Sequence, residues 1–177
     1  MIRMILAYGF VAGLIVGTEM FVVTSTFTHL GGIWGMVVGY LTMLVALSFV
    51  FIAIKRRRDL TQGGVIRFWP AFGMGLGISF VAGVLYVAAW EATVAYTHMD
   101  FASVYAQGVI AQAKARGVTG DALQKIIDQM QQFKVQYANP LYRWPMTFIE
   151  IFPVGVLVSL ISAALLRNSR FMPLKRA

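Results

Sequence analysis

The sequence contains no cysteine, so disulfide frameworks, thiolate metal sites and cysteine nucleophiles are all excluded. Charge is also scarce. Only 12% of the 177 residues are Asp, Glu, Lys or Arg, about half the share of a typical soluble domain, which is about 25%. There are seven acids and two histidines, a short inventory for acid–base or metal chemistry. The chain has no phosphate-binding glycine loop, no nucleophile elbow and no HExxH zinc motif.

What replaces charge is apolar surface. Hydrophobic residues make up 59% of the chain, and the mean hydropathy of +0.73 indicates an integral membrane protein. Four stretches reach the roughly 20 residues needed to cross a bilayer. They run from about Met4 to Thr24, Ile33 to Ile54, Phe72 to Tyr96 and Pro145 to Leu166. The first resembles a signal peptide but is long for one and reads as a retained membrane helix. Trp34, Trp69, Trp90 and Trp144 all fall near segment ends, where an indole settles at the interface. The expected fold is all-α and polytopic, a single membrane domain spanning 1–177.

The net charge of +8 does not point to nucleic acid, because the basic residues sit at the ends of apolar segments. Arg3, Lys55 to Arg58, Arg67, Arg167, Arg170, Lys175 and Arg176 account for ten of the fifteen. The remaining five lie between the third and fourth segments. The positive-inside rule then places both termini and the second link in the cytoplasm, and the first and third links outside. The Lys55–Arg58 run needs no role beyond setting this orientation, although basic juxtamembrane runs also meet anionic lipid heads.

The third link is not disordered in composition. Asp100 can cap a helix that Gly117 stops, and a second helix begins near Thr119 to Asp121. Leu123, Ile126, Ile127, Met130 and Phe133 follow at helical spacing. The expectation is an extracytoplasmic amphipathic helical hairpin over about 100–137, lying on lipid, capping the bundle, or serving as a spacer.

Glycines recur every four residues at 9, 13 and 17, at 31, 35 and 39, and at 73 and 77, with Ser79 and Gly83 a further pair. This spacing puts them on one helix face and lets backbones approach, either within a four-helix bundle or against a second copy.

Glu19, Glu91 and Glu150 stand alone in the apolar segments, where an acid is expensive. Counted from the basic ends of their helices at 1.5 Å per residue, they lie about 24, 28 and 25 Å along. In a core of about 30 Å all three occupy the outer part of the membrane. No Lys or Arg lies inside any segment to pair with them. Three readings follow: each Glu reaches the outer headgroups and stays wet, the three share protons, or they bind a cation. Carboxylates alone suit Mg²⁺, Ca²⁺ or Mn²⁺, and histidine would extend the range to zinc or iron. His29, His98 and Arg143 are candidate supporting groups from the same side, and Tyr40, Tyr86, Thr18 and Thr93 are candidate neutral donors.

Several blocks are family-like. Gly39-Tyr40-Leu41-Thr42-Met43-Leu44, Gly63-Gly64-Val65-Ile66, Trp90-Glu91, Asn139-Pro140-Leu141, Thr147 through Gly155 and Ser159 through Ala163 resemble the bacterial membrane proteins grouped as domain of unknown function 4199. The resemblance covers essentially the whole chain. It implies a four-helix protein of the bacterial inner membrane and brings no established activity or catalytic residues. The functional expectation is a non-enzymatic accessory or assembly subunit, bound to the bilayer and to itself or another membrane protein. The alternatives are a proton- or cation-coupled carrier and a metal-dependent membrane enzyme, both built on the three glutamates, with a divalent cation as the cofactor.

Overall fold

A computed structural model describes residues 1–26 and 33–173. Among the described residues the chain is entirely helical, with six helices: α1 Ile2–Thr26, α2 Ile33–Thr61, α3 Phe68–Thr97, α4 Phe101–Ala115, α5 Gly120–Tyr137 and α6 Pro140–Arg167. α1, α2, α3 and α6 are long and apolar enough to cross a membrane. The protein is therefore an all-α membrane protein with two shorter helices between its third and fourth spanning helices. The chain divides into two compact units, Met1–Thr93 with Phe148–Ala177, and Val94–Thr147.

The helices outrun the expected spans, each for a local reason. α2 continues from Ile54 through the basic run to Thr61, because Lys and Arg are good helix formers and charge does not end a helix. It stops at Gly63 and Gly64, which both have positive φ, and the Gly64 N–H bonds back to the Arg58 carbonyl at 2.9 Å. α3 starts at Phe68, so Pro70 lies in its first turn, where a missing N–H costs nothing. α6 starts at Pro140 rather than Pro145. The Asn139 carboxamide oxygen accepts the Leu141 N–H at 3.0 Å and caps the new start.

The first unit is small inside and large outside. Ala12, Ala46, Ala53, Ala71, Ala82 and Ala163 are fully buried, while Phe10, Val45, Phe80 and Ile161 are more than half exposed. A bundle in lipid has no reason to hide large apolar side chains and gains cohesion from close backbone approach. α1 meets α3 at its glycines. A Cβ built on Gly9 would lie 2.6 Å from Val81 Cβ, one on Gly13 would lie 2.7 Å from Leu85 Cβ, and one on Gly17 would lie 2.8 Å from Ala89 Cβ. α3 and α6 meet reciprocally: Gly75 faces Ser159 and Gly155 faces Ser79. Each serine hydroxyl donates to the carbonyl four residues back on its own helix, Ser79 to Gly75 at 3.0 Å and Ser159 to Gly155 at 2.6 Å. The two hydroxyls are 3.4 Å apart. Gly39 and Gly73 have nothing within 4 Å of such a Cβ.

The second unit is built differently. Asp100 caps α4 by accepting the Ser103 N–H at 3.0 Å. α4 ends in a Schellman motif: Gly117 has φ +79, its N–H reaches the Lys114 carbonyl at 2.9 Å, and the Val118 N–H reaches the Ala113 carbonyl at 3.1 Å. Leu123, Ile126, Ile127, Met130 and Phe133 are all partly covered, as their spacing predicts. Four rings, Phe101, Tyr105, Phe133 and Tyr137, close a cluster between α4 and α5 with centroids 5.3–6.0 Å apart.

Candidate functional site

The inner face of α3 carries Ser79, Gly83, Tyr86, Trp90 and Thr93 at three- and four-residue spacing, all buried. Gly83 sets the position of α6 beside it: a Cβ there would lie 2.6 Å from the Phe148 ring, so the ring occupies the space a side chain would take. Phe148 is held in turn by Phe152, stacked at 4.9 Å, and by Phe80, edge-on at 5.6 Å. With α6 fixed at Phe148, Glu150 follows two residues later, and the Tyr86 hydroxyl donates to its Oε2 at 3.2 Å. Tyr86 is 7% exposed, so its phenol is a buried donor satisfied by a carboxylate. Glu150 itself retains an exposed surface.

Tyr86 also joins two other candidate residues. The Glu19 carboxylate of α1 and the Tyr40 hydroxyl of α2 lie within electrostatic reach of its hydroxyl. Glu19 is half-buried, in line with Ala12 and Val16 on the core side of α1, and borders a shallow surface hollow with Thr18. Four helices thus contribute to one polar neighbourhood centred on Tyr86. Glu91 is half-buried on α3, the residue after buried Trp90. Thr93 donates to the Ala89 carbonyl at 2.8 Å.

The other candidates lie elsewhere. In the second unit, Arg143 donates to the Tyr137 carbonyl at 3.2 Å and its guanidinium lies 5.7 Å from the Tyr137 ring centroid. His98 is exposed with φ +50. His29 lies outside the described residues. Among the described residues no three His, Asp or Glu side chains gather closely enough to hold a metal ion. A phenol hydrogen-bonded to a carboxylate, as Tyr86 is to Glu150, can hold or pass a proton without a metal.

One feature escapes sequence reasoning. Arg58, in the basic run at the end of α2, is fully buried. Its Nε donates to Asp59 at 2.8 Å, Nη1 to the Phe171 carbonyl at 2.9 Å and Nη2 to the Met172 carbonyl at 2.6 Å. Lys55 pairs with the other Asp59 oxygen at 2.6 Å. The Phe171 ring packs edge-on against Phe51 at 6.4 Å. Arg58 thus fastens the segment after α6 to the end of α2. The one signal in the sequence is the lone acid following four basic residues.

No curated protein and no solved structure matches the chain. One family pattern does, described as "Protein of unknown function (DUF4199)", and it covers residues 7–168, which is nearly the whole chain. Four spanning helices, the polar insert between the third and fourth, and a match of this extent agree: the chain belongs to the DUF4199 family of proteins of unknown function.

Proposed function

We propose that the protein is a non-enzymatic accessory or assembly subunit of the bacterial inner membrane. Both termini and the α2–α3 link face the cytoplasm, and the α4–α5 hairpin lies outside. The observation that supports a static subunit is the closeness of the helices. α1 touches α3 through Gly9, Gly13 and Gly17, and α3 touches α6 through Gly75 and Gly155. A carrier needs a gap that opens and closes, and helices in backbone contact at three levels oppose one. Close helix packing also gives a rigid lipid-facing exterior on which another membrane protein, or a second copy, can seat.

A second reading has its own observation. The Tyr86–Glu150 hydrogen bond, with Glu19 nearby, supports a proton- or cation-coupled carrier that uses intramembrane acids. Isolating the full chain from its own membranes in mild detergent separates the two. The subunit reading expects one membrane partner at fixed stoichiometry, or a stable homo-oligomer. It fails if the chain isolates as a monomer and drives cation or proton flux in liposomes that Glu150→Gln abolishes with the fold intact. The absence of cysteine makes orientation directly measurable: Gln124→Cys should react with an impermeant maleimide from outside, and Gln62→Cys only after permeabilisation. The reverse pattern overturns the assigned topology.

A further inference from the structure

The basic end of the bundle holds more than an orientation signal. The start of α1 and the end of α2 enclose a cavity of about 330 Å³ whose lining includes Arg3, Tyr8, Arg56 and Arg57. The acid of the neighbouring run, Asp59, is occupied by Lys55 and Arg58. Among the described residues no carboxylate pairs with Arg3, Arg56 or Arg57. Arg56 Nη1 donates to the Tyr8 hydroxyl at 3.3 Å, and Arg57 Nη1 rests 4.0 Å from Met74 Sδ, a weak acceptor. Three arginines from two helices therefore border one hollow, and among the described residues no carboxylate pairs with them. Arginine forks match phosphate oxygens in geometry as well as in charge.

A second cavity of about 670 Å³ adjoins the first and shares Arg3 and Ala7 with it. Apart from Arg3, its walls are apolar, formed by Leu6 and Phe10 of α1 and by Phe80 and Val84 of α3. It exists because α1 and α3 touch at Gly9 and Gly13, while the large residues beside them, Phe10 and Phe80, stand outward and more than half exposed. Arg3 to Phe10, the part of α1 that lines it, spans about 10 Å of helix, roughly two-thirds of one leaflet of a hydrocarbon core of about 30 Å. A basic mouth thus opens directly into an apolar trough that reaches roughly two-thirds of the way through one leaflet.

We propose that this composite site binds an anionic phospholipid, its phosphate held by Arg3, Arg56 and Arg57 with Tyr8, and one acyl chain lying in the α1–α3 trough. A free phosphate would leave the trough without a purpose. A zwitterionic lipid would bring an ammonium group toward three guanidinium groups, whereas a phosphatidylglycerol-type head brings none. The site is independent of the subunit function proposed above; only its assignment to the cytoplasmic leaflet rests on the proposed orientation.

The test uses the full chain in nanodiscs of equal phosphatidylglycerol and phosphatidylcholine, followed by native mass spectrometry of the lipids retained on release. Selective retention of phosphatidylglycerol is expected. Changing Arg3, Arg56 and Arg57 to Gln should lower it about fivefold for each arginine removed. Ala7→Trp, which fills the junction of the two cavities and leaves every charge in place, should lower it as well. Millimolar inorganic phosphate should leave retention unchanged; displacement by phosphate would make this a free-anion site and overturn the lipid assignment. Equal retention of the two lipids overturns the proposal outright. If the glutamine variant inserts wrongly, Ala7→Trp decides, and parental retention there overturns it.

Discussion

The two units of this chain solve the same problem, holding helices together, by opposite means. In the first, small residues face inward and large apolar ones face out. The contacts that matter are Gly9 on Val81, Gly75 on Ser159 and Gly155 on Ser79. In the second, Phe101, Tyr105, Phe133 and Tyr137 are gathered between two helices whose other faces are polar. Its helix ends are marked by Asp100 and Gly117. The contrast follows from solvent. Water drives large side chains together, and exposed helix ends reward caps. Lipid does neither, so cohesion comes from shape and dispersion.

Perturbations chosen from one unit or the other should sharpen that contrast. The largest effect is expected from Arg58→Met. It removes two charge-assisted hydrogen bonds to the Phe171 and Met172 carbonyls and strips Asp59 of one partner, a loss on the order of 3 kcal/mol. Thermal unfolding in detergent should show it, along with faster proteolysis after Arg167. Unchanged proteolysis would mean that the clamp does not hold the terminal segment.

Next comes Gly155→Leu, whose Cβ would fall 2.5 Å from Ser79 Cβ. Overpacking of this kind costs about 2–3 kcal/mol. Gly39→Ala is the control, with nothing within 4 Å and a gain of up to about 1 kcal/mol in helix propensity. Equal effects at the two glycines would refute the view that shape holds the bundle.

Gly117→Ala should act on the hairpin alone. Forcing a side chain into the left-handed region at φ +79 costs about 1 kcal/mol. Hydrogen exchange should quicken at the end of α4 and stay unchanged in α3 and α6.

The smallest effect is a pH dependence. Hydrogen bonds from Ser103 hold the Asp100 carboxyl below the usual aspartate range. A pKa lowered by folding means the cap contributes fully above the unfolded value of about 3.9 and is lost as pH falls through the folded value. Protection of the Ser103 amide should therefore be flat from pH 7 to pH 5 and decline only below about pH 4. A decline centred near pH 6 would assign the titration to some other group.

How much of this was readable in advance also divides by unit. The two helices between α3 and α6 were legible in outline, because Asp at a helix start, Gly at a stop and apolar residues every three or four positions are local signals. The existence of four spanning helices was equally plain. Their ends were not, since the span estimate stopped at the first charge, and the backbone of α2 runs on to Thr61. Pro140 lies just past the end of α5 and also opens α6, because proline suits a first turn as well as a break. The expectation that Glu19, Glu91 and Glu150 match in depth comes from counting along the chain. Tyr86 as the common neighbour of Glu19 and Glu150 depends on how each helix is rotated, which Gly83 and Phe148 decide across 65 residues. The Arg58 clamp was beyond reach for the same reason: its carbonyl partners lie 113 and 114 residues away.

The reciprocal Gly–Ser contact between α3 and α6 has a consequence for the order of synthesis. The two helices are the last pair to be made, with the whole of α4 and α5 between them. Until α6 emerges, Gly75, Ser79 and Gly83 of α3 lack the Ser159, Gly155 and Phe148 that close against them. Ser79 tolerates that interval because its hydroxyl is already bonded to the Gly75 carbonyl of its own helix. At the Gly–Ser contact docking then needs no polar group to find a new partner, whereas further along the same face the Tyr86 hydroxyl gains Glu150. A chain cut short before Gly155 would leave the reciprocal contact with Ser79 unmade.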